Sequence, residues 1–156
     1  MVMRSGSGWD LAVKNRDGQL VLVVEVKRRT KVSPEWAAQL RRNILAHGIF
    51  ADAPYFLLVF PDQFYLWASN KESEFQHERP YIIDSSPILQ PYLDRADISP
   101  EQISETGLEL IITSWLGEII YAEELPEQLD ASQQWLLESG FYAALMGGQL
   151  EHEVAA

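Results

Sequence analysis

The chain contains no cysteine, which excludes disulfides, thiolate catalysis and zinc sites built on sulfur. Histidine is scarce: His47, His77 and His152 are scattered over 156 residues without metal-ligand spacing, so none reads as a ligand or general base. There is no Gly-rich phosphate loop and no serine nucleophile elbow. Basic residues are few, twelve against twenty-three acidic ones, for a net charge of −11. Long apolar runs are missing too. The longest, around Leu108 to Tyr121, is interrupted by Glu109, Thr113, Ser114 and Glu118, and is too short and too polar to span a bilayer. The opening MVMRSGSGWD lacks the apolar stretch of a secretory signal, so a cytoplasmic protein with no membrane association is expected.

What is present fits one folded domain with a single core: 47% hydrophobic and 22% charged residues over a length typical of one domain. The charge is unevenly spread. Residues 1–42 hold nine of the twelve basic residues and carry +5, whereas the remainder carries −16. One end of the chain can therefore attract a polyanion that the rest repels. The plainer reading is an uneven solvated surface.

The pattern along the chain is strands, a helix, strands, then helices. After a Gly/Ser-rich start, Trp9 to Lys14 reads as a short strand, and Asp17-Gly18 signals a hairpin into the nearly continuous apolar run Gln19 to Lys27. Such a run suits a strand covered on both faces. Ser33-Pro34-Glu35 opens a helix whose buried stripe is Trp36, Ala37, Leu40 and Ile44, closed by His47-Gly48. His47 near that end answers the helix dipole. Pro54 to Phe60 and Gln63 to Trp67 read as paired strands, Ala68 to Arg79 as a loop, and Tyr81 to Ile83 as an edge strand. Helices are expected at Ser86 to Leu93, Gly107 to Tyr121 and Pro126 to Leu145. Trp36, Trp67, Trp115 and Trp135 fall in apolar stripes and are expected in the core, while Glu123, Glu124 and Glu127 form a solvated helix boundary.

Asp10, Glu25 and Lys27 stand out. Side chains alternate along a strand, so Glu25 and Lys27 share a face. A two-residue turn sets Asp10 opposite Glu25, and a four-residue turn sets it opposite Val23; both place it on that face. A three-residue turn places it on the other. Two carboxylates on an apolar face are costly unless a cation lies between them, and magnesium is served by one or two carboxylates plus water. Lys27 beside them could orient a water and stabilise a phosphoryl transition state.

Asp10, fourteen intervening residues, then Glu25-Val26-Lys27 resembles the PD-(D/E)XK phosphodiesterase superfamily, as does Trp36 to Asn43 followed by Pro54 to Leu58. The resemblance covers about residues 8–67. It implies an α/β fold: a restriction-endonuclease-like core, a mixed β-sheet with flanking helices, at 1–85, with a helical extension at 86–156 packed on it in a single structural domain. It also implies a Mg2+ site, with Mn2+ as substitute, held by Asp10, Glu25 and the Val26 carbonyl. Lys27 would assist the water, and Gln39 on the following helix would support the site. Arg28, Arg29, Lys31, Arg41 and Arg42 flank the site and are candidate phosphate contacts; pairing with the acidic helices is the alternative. The family core usually begins with a helix and strand ahead of the first acid, yet only nine residues precede Asp10. A homodimer, or a partner completing that layer, is therefore expected. The functional expectation is a DNA nuclease. Its rivals are a catalytically inactive module of the same fold and a protein–protein adaptor working through acidic helices.

Overall fold

The computed structural model describes residues 10–47, 53–68 and 79–152. Trp9, the Gly48 cap, His77 and the loop at 69–78 lie outside the described residues, as does the side chain of His47. The chain is α/β, with one mixed six-stranded sheet and helices on both faces. Its strands are β1 (Leu11–Lys14), β2 (Leu20–Val26), β3 (Tyr55–Val59), β4 (Gln63–Ala68), β5 (Tyr81–Asp84) and β6 (Gln149–His152), in the order β5-β4-β3-β2-β1-β6. Only β2 and β3 run parallel, and α1 (Pro34–His47) is the crossover such a pair requires. Ser33 caps α1, its Oγ accepting the Trp36 amide at 3.1 Å.

The β1–β2 hairpin does not follow either register that favours the site. Asn15 N–H donates to the Gln19 carbonyl at 2.9 Å and Gly18 N–H to the Asn15 carbonyl at 3.0 Å, leaving Arg16, Asp17 and Gly18 as a three-residue turn. The Asn15 side chain holds it, accepting the Asp17 and Gln19 amides at 3.0 and 2.9 Å, and Gly18 supplies the left-handed residue at φ +80°. Alone, this turn would put Asp10 on the wrong face. The register then shifts: Lys14 pairs with Leu20, but Val13 pairs with Leu22, so Val21 is an inserted bulge residue. The bulge exchanges the faces of β2, sending Leu20 toward α1 and both Val21 and Leu22 to the opposite side. From Val13 to Leu11 the pairing is that of a two-residue turn, with Leu11 opposite Val24.

The α1 face is a core of Val23, Phe56, Leu58, Phe60, Tyr65 and Trp67 under Ala37, Leu40 and Ile44. Trp36, expected in that stripe, is instead 37% exposed at its edge. The other face carries the larger core, in which Leu22, Val24, Leu57 and Phe64 meet α2 (Ser86–Ala96), α3 (Glu105–Ile120), α4 (Trp135–Glu138) and α5 (Phe141–Leu145). Trp115 and Trp135 are buried there beside Phe141.

Two expectations about the C-terminal half are corrected. The single helix at Pro126 to Leu145 is instead a 3-10 turn at Ala131–Gln133 followed by α4 and α5, broken at Ser139-Gly140, where Gly140 has φ +78°. Helical periodicity alone does not register a left-handed residue inside it. The half is also not all helical: Gly147-Gly148 turns the chain back and β6 pairs with β1, Leu11 to His152 through Lys14 to Gln149. Residues 86–152 thus cover both the outer edge of β1 and the face opposite α1. Among the described residues no helix is long and apolar enough to cross a membrane.

Gly140 and Gly18 separate two kinds of backbone requirement. A Cβ at Gly140 would meet the Tyr55 hydroxyl at 2.9 Å, whereas one at Gly18 would meet nothing within 4 Å. Gly18→Ala should therefore cost about 1 kcal/mol, from backbone conformation alone. Gly140→Ala should cost more, about 2–3 kcal/mol, because it adds a displaced Tyr55 to the strained φ. Urea denaturation of both variants checks the order.

Candidate active site

Glu25 is the penultimate residue of β2 and only 4% exposed, opposite Leu58 on the α1 face. Asp10, just ahead of β1, is 1% exposed. Its N–H donates to the Val24 carbonyl at 2.9 Å and its Oδ2 accepts the Val26 amide at 2.7 Å. Asp10 thus binds the main chain on both sides of Glu25. Its carboxylate takes over a ladder position at the end of β1 and satisfies a buried amide.

Lys27 completes the group. Its N–H donates to the Val59 carbonyl at 2.9 Å, so the parallel ladder fixes its backbone, and alternation returns its side chain to the face of Glu25. The ammonium lies 3.4 Å from Glu25 Oε1, with the lysine side chain 40% and the glutamate side chain 6% exposed. A carboxylate this deeply buried costs several kcal/mol unless compensated, and a cation reaching in from the solvent side offsets part of that. Glu25 and Lys27 thus pair at the carboxyl end of β2, and Asp10 is tied to the same stretch of main chain through Val24 and Val26.

As a metal site the donor set is entirely oxygen: two buried carboxylates with the Val26 main chain between them. That suits a hard cation such as magnesium, which retains several waters. Among the described residues no cluster of three or more His, Asp or Glu side chains is placed to hold an ion. An ion here would rest on Asp10, Glu25 and main-chain or water oxygens.

The supporting residues are placed less favourably. Gln39 is exposed on α1, its Nε2 donating to Asn43 Oδ1 at 3.1 Å and its Oε1 accepting from Arg42 at 2.9 Å; neither amide atom reaches the acids. Arg28 points away, its Nε donating to the Ile103 carbonyl at 2.8 Å and Nη2 to the Glu101 carbonyl at 3.3 Å, while its N–H meets Glu105. It ties the end of β2 to the start of α3. The Arg41 guanidinium lies over Trp67, 5.3 Å from the ring centroid, and Arg29 lies over Trp36 at 4.5 Å. Lys31 and Arg42 are exposed, and the Lys31 N–H is held by Asp62 at 2.9 Å. A cavity of about 270 Å3 near Thr30, Asp62, Ser86 and Glu101 is lined by none of Asp10, Glu25 or Lys27. The exposure of Trp36 and the anchoring of Arg28 were missed in sequence; the first had a signal, since Trp36 adjoins the helix cap at Ser33 where a ring can overhang the sheet.

Asp10 should matter to stability as well as to chemistry. Asp10→Ala leaves the buried Val26 amide without its acceptor and should cost about 1–3 kcal/mol, whereas Asp10→Asn, which keeps a carbonyl oxygen there, should cost less. Thermal and urea unfolding of the pair distinguish them. In comparison with known proteins, no family model, no curated protein and no solved structure matches the chain.

Proposed function

We propose that this chain is a metal-dependent phosphodiesterase, a nuclease of the PD-(D/E)XK type with a restriction-endonuclease-like core, acting on DNA. The observation that carries the proposal is the burial of Asp10 and Glu25 beside Lys27, in a register that the Val21 bulge restores after a turn of the wrong length. Asp10 caps the Val26 amide, and in doing so it brings a second buried carboxylate to the strand end that carries Glu25 and Lys27.

In this reading Asp10 and Glu25 hold Mg2+, or Mn2+ in its place, with the Val26 carbonyl as a further oxygen ligand. When bound, the ion acidifies a coordinated water and neutralises charge on the phosphate. The chain's own residues do the rest. Glu25 keeps the Lys27 ammonium at the mouth of the site, where it can orient a water and stabilise negative charge on the phosphoryl oxygens. The Val26 amide holds one Asp10 oxygen and so fixes the carboxylate's direction. Gln39, bonded along its own helix, is given no part.

A second reading, an inactive module of the same fold, draws support from the basic residues. Arg28 is occupied by main-chain carbonyls and Arg41 by aromatic rings, so fewer cations face a polyanion than the sequence offers.

Purified protein incubated with plasmid and short DNA substrates in Mg2+ or Mn2+ should cut them. Lys27→Ala, Glu25→Gln and Asp10→Asn should each lower the rate about a hundredfold or more while remaining folded. Equal cleavage by Lys27→Ala, or none by the wild type with either ion, would remove the hydrolase reading. Calorimetric titration with Mg2+ gives an independent result: saturable binding by the wild type that Glu25→Gln weakens at least tenfold is expected, and its absence favours the inactive module.

A further inference from the structure

Trp36 is placed unlike the other described tryptophans. Trp67, Trp115 and Trp135 are buried, whereas Trp36 is 37% exposed in the first turn of α1, with its amide fixed to Ser33. A large aromatic at the surface is informative when something holds it in place. Here two groups do. Phe60, fully buried, meets the indole edge-on with ring centroids 6.3 Å apart, and the Arg29 guanidinium lies 4.5 Å from the ring centroid.

The location follows from the main chain. Phe60 directly follows β3, and Lys27 N–H is bonded to Val59, so Phe60 and Lys27 leave the sheet side by side. Phe60 belongs to the α1 face, the face of Glu25 and Lys27. Arg29 is held two residues beyond Lys27 by its N–H, which donates to the Lys27 carbonyl at 3.0 Å. The braced indole therefore stands at the same end and on the same face of the sheet as the carboxylate–lysine group.

We infer that Trp36, braced by Phe60 and Arg29, is a stacking platform for an unpaired nucleobase, and that the substrate of the neighbouring site is single-stranded nucleic acid. The inference rests on the phosphodiesterase reading for what happens next to the platform. Charge points the same way. With Arg28 tied to the α3 lead-in, the loop after β2 and the exposed side of α1 offer, among the described residues, Lys27, Arg29, Lys31 and Arg42 to phosphates. That is well short of the six to ten or so phosphate contacts that give a duplex binder its affinity. A base stacked on an aromatic ring supplies affinity that few phosphate contacts cannot, and bases inside a duplex are not available to stack. Arg29 adds a cation beside the ring that can meet the adjoining phosphate.

Fluorescence anisotropy in EDTA, with a labelled oligothymidylate of about twelve nucleotides and a blunt duplex of equal length, reads this directly. The wild type should bind the single strand more tightly than the duplex. Trp36→Ala should weaken single-strand binding about 5- to 100-fold and Trp36→Phe should retain most of it, while Tyr121→Ala, which removes an exposed aromatic at the far end of α3, should bind as well as the wild type. Thermal unfolding of each variant confirms the fold, and the Phe variant keeps the test decisive if the Ala variant fails to fold. Equal binding by Trp36→Ala, tighter binding of the duplex, or no binding of the single strand overturns the platform. Duplex cleavage that Trp36→Ala leaves unchanged keeps the hydrolase and overturns the platform. Trp36-dependent single-strand binding without cleavage by the wild type keeps the platform and removes the hydrolase.

Discussion

A carboxylate buried at the end of an apolar strand is the constraint around which the rest of this molecule is arranged. β2 is covered on both faces, so the Glu25 side chain cannot turn to water, and its charge has to be met where it stands. Lys27 meets it from the strand's end, half-exposed, bridging the interior and the solvent. Asp10 grips the main chain on either side of Glu25, which fixes how β1 ends and where a second negative charge lies. Two buried acids and a lysine at one strand end link the fold to the proposed chemistry.

The hairpin makes this possible by two errors that cancel. Asn15, Asp17 and Gly18 favour a three-residue turn for local reasons, the Asx bonds and the left-handed glycine. Such a turn reverses the faces of the incoming strand, and the extra residue at Val21 reverses them again. Each device is local, but their combination decides how β1 lies against the end of β2 that carries Glu25. A bulge next to a site commonly re-aims side chains in this way.

The basic residues show how a charge pattern can mislead. The cluster at 27–42 looks like a uniform polyanion surface, yet Arg28 and Arg41 serve internal tasks, one joining β2 to the α3 lead-in and the other lying on Phe56 and Trp67. Guanidinium groups are suited to both uses, and sequence position does not choose between them. The C-terminal half presents a similar case. Its helices read as an appendage, but they form the second layer of the core, and β6 closes the edge of β1 that lacked a neighbour.

The elements of the first half were readable because each is specified locally: the β-branched run of β2, the Ser33-Pro34 start of α1, the apolar strands β3 and β4. The pairing of Glu25 with Lys27 was readable too, since two residues apart on a strand means one face. What local pattern could not supply was the sum of turn length and bulge, because alternation is lost and regained within a few residues. Nor could it reveal β6, a four-residue polar strand whose pairing exists only once β1 is in place beside it. The direction of Gln39, the anchoring of Arg28 and the exposure of Trp36 belong to the same class. Each depends on which distant backbone or ring arrives alongside, and that is a property of packed three-dimensional neighbours rather than of residues adjacent in the chain.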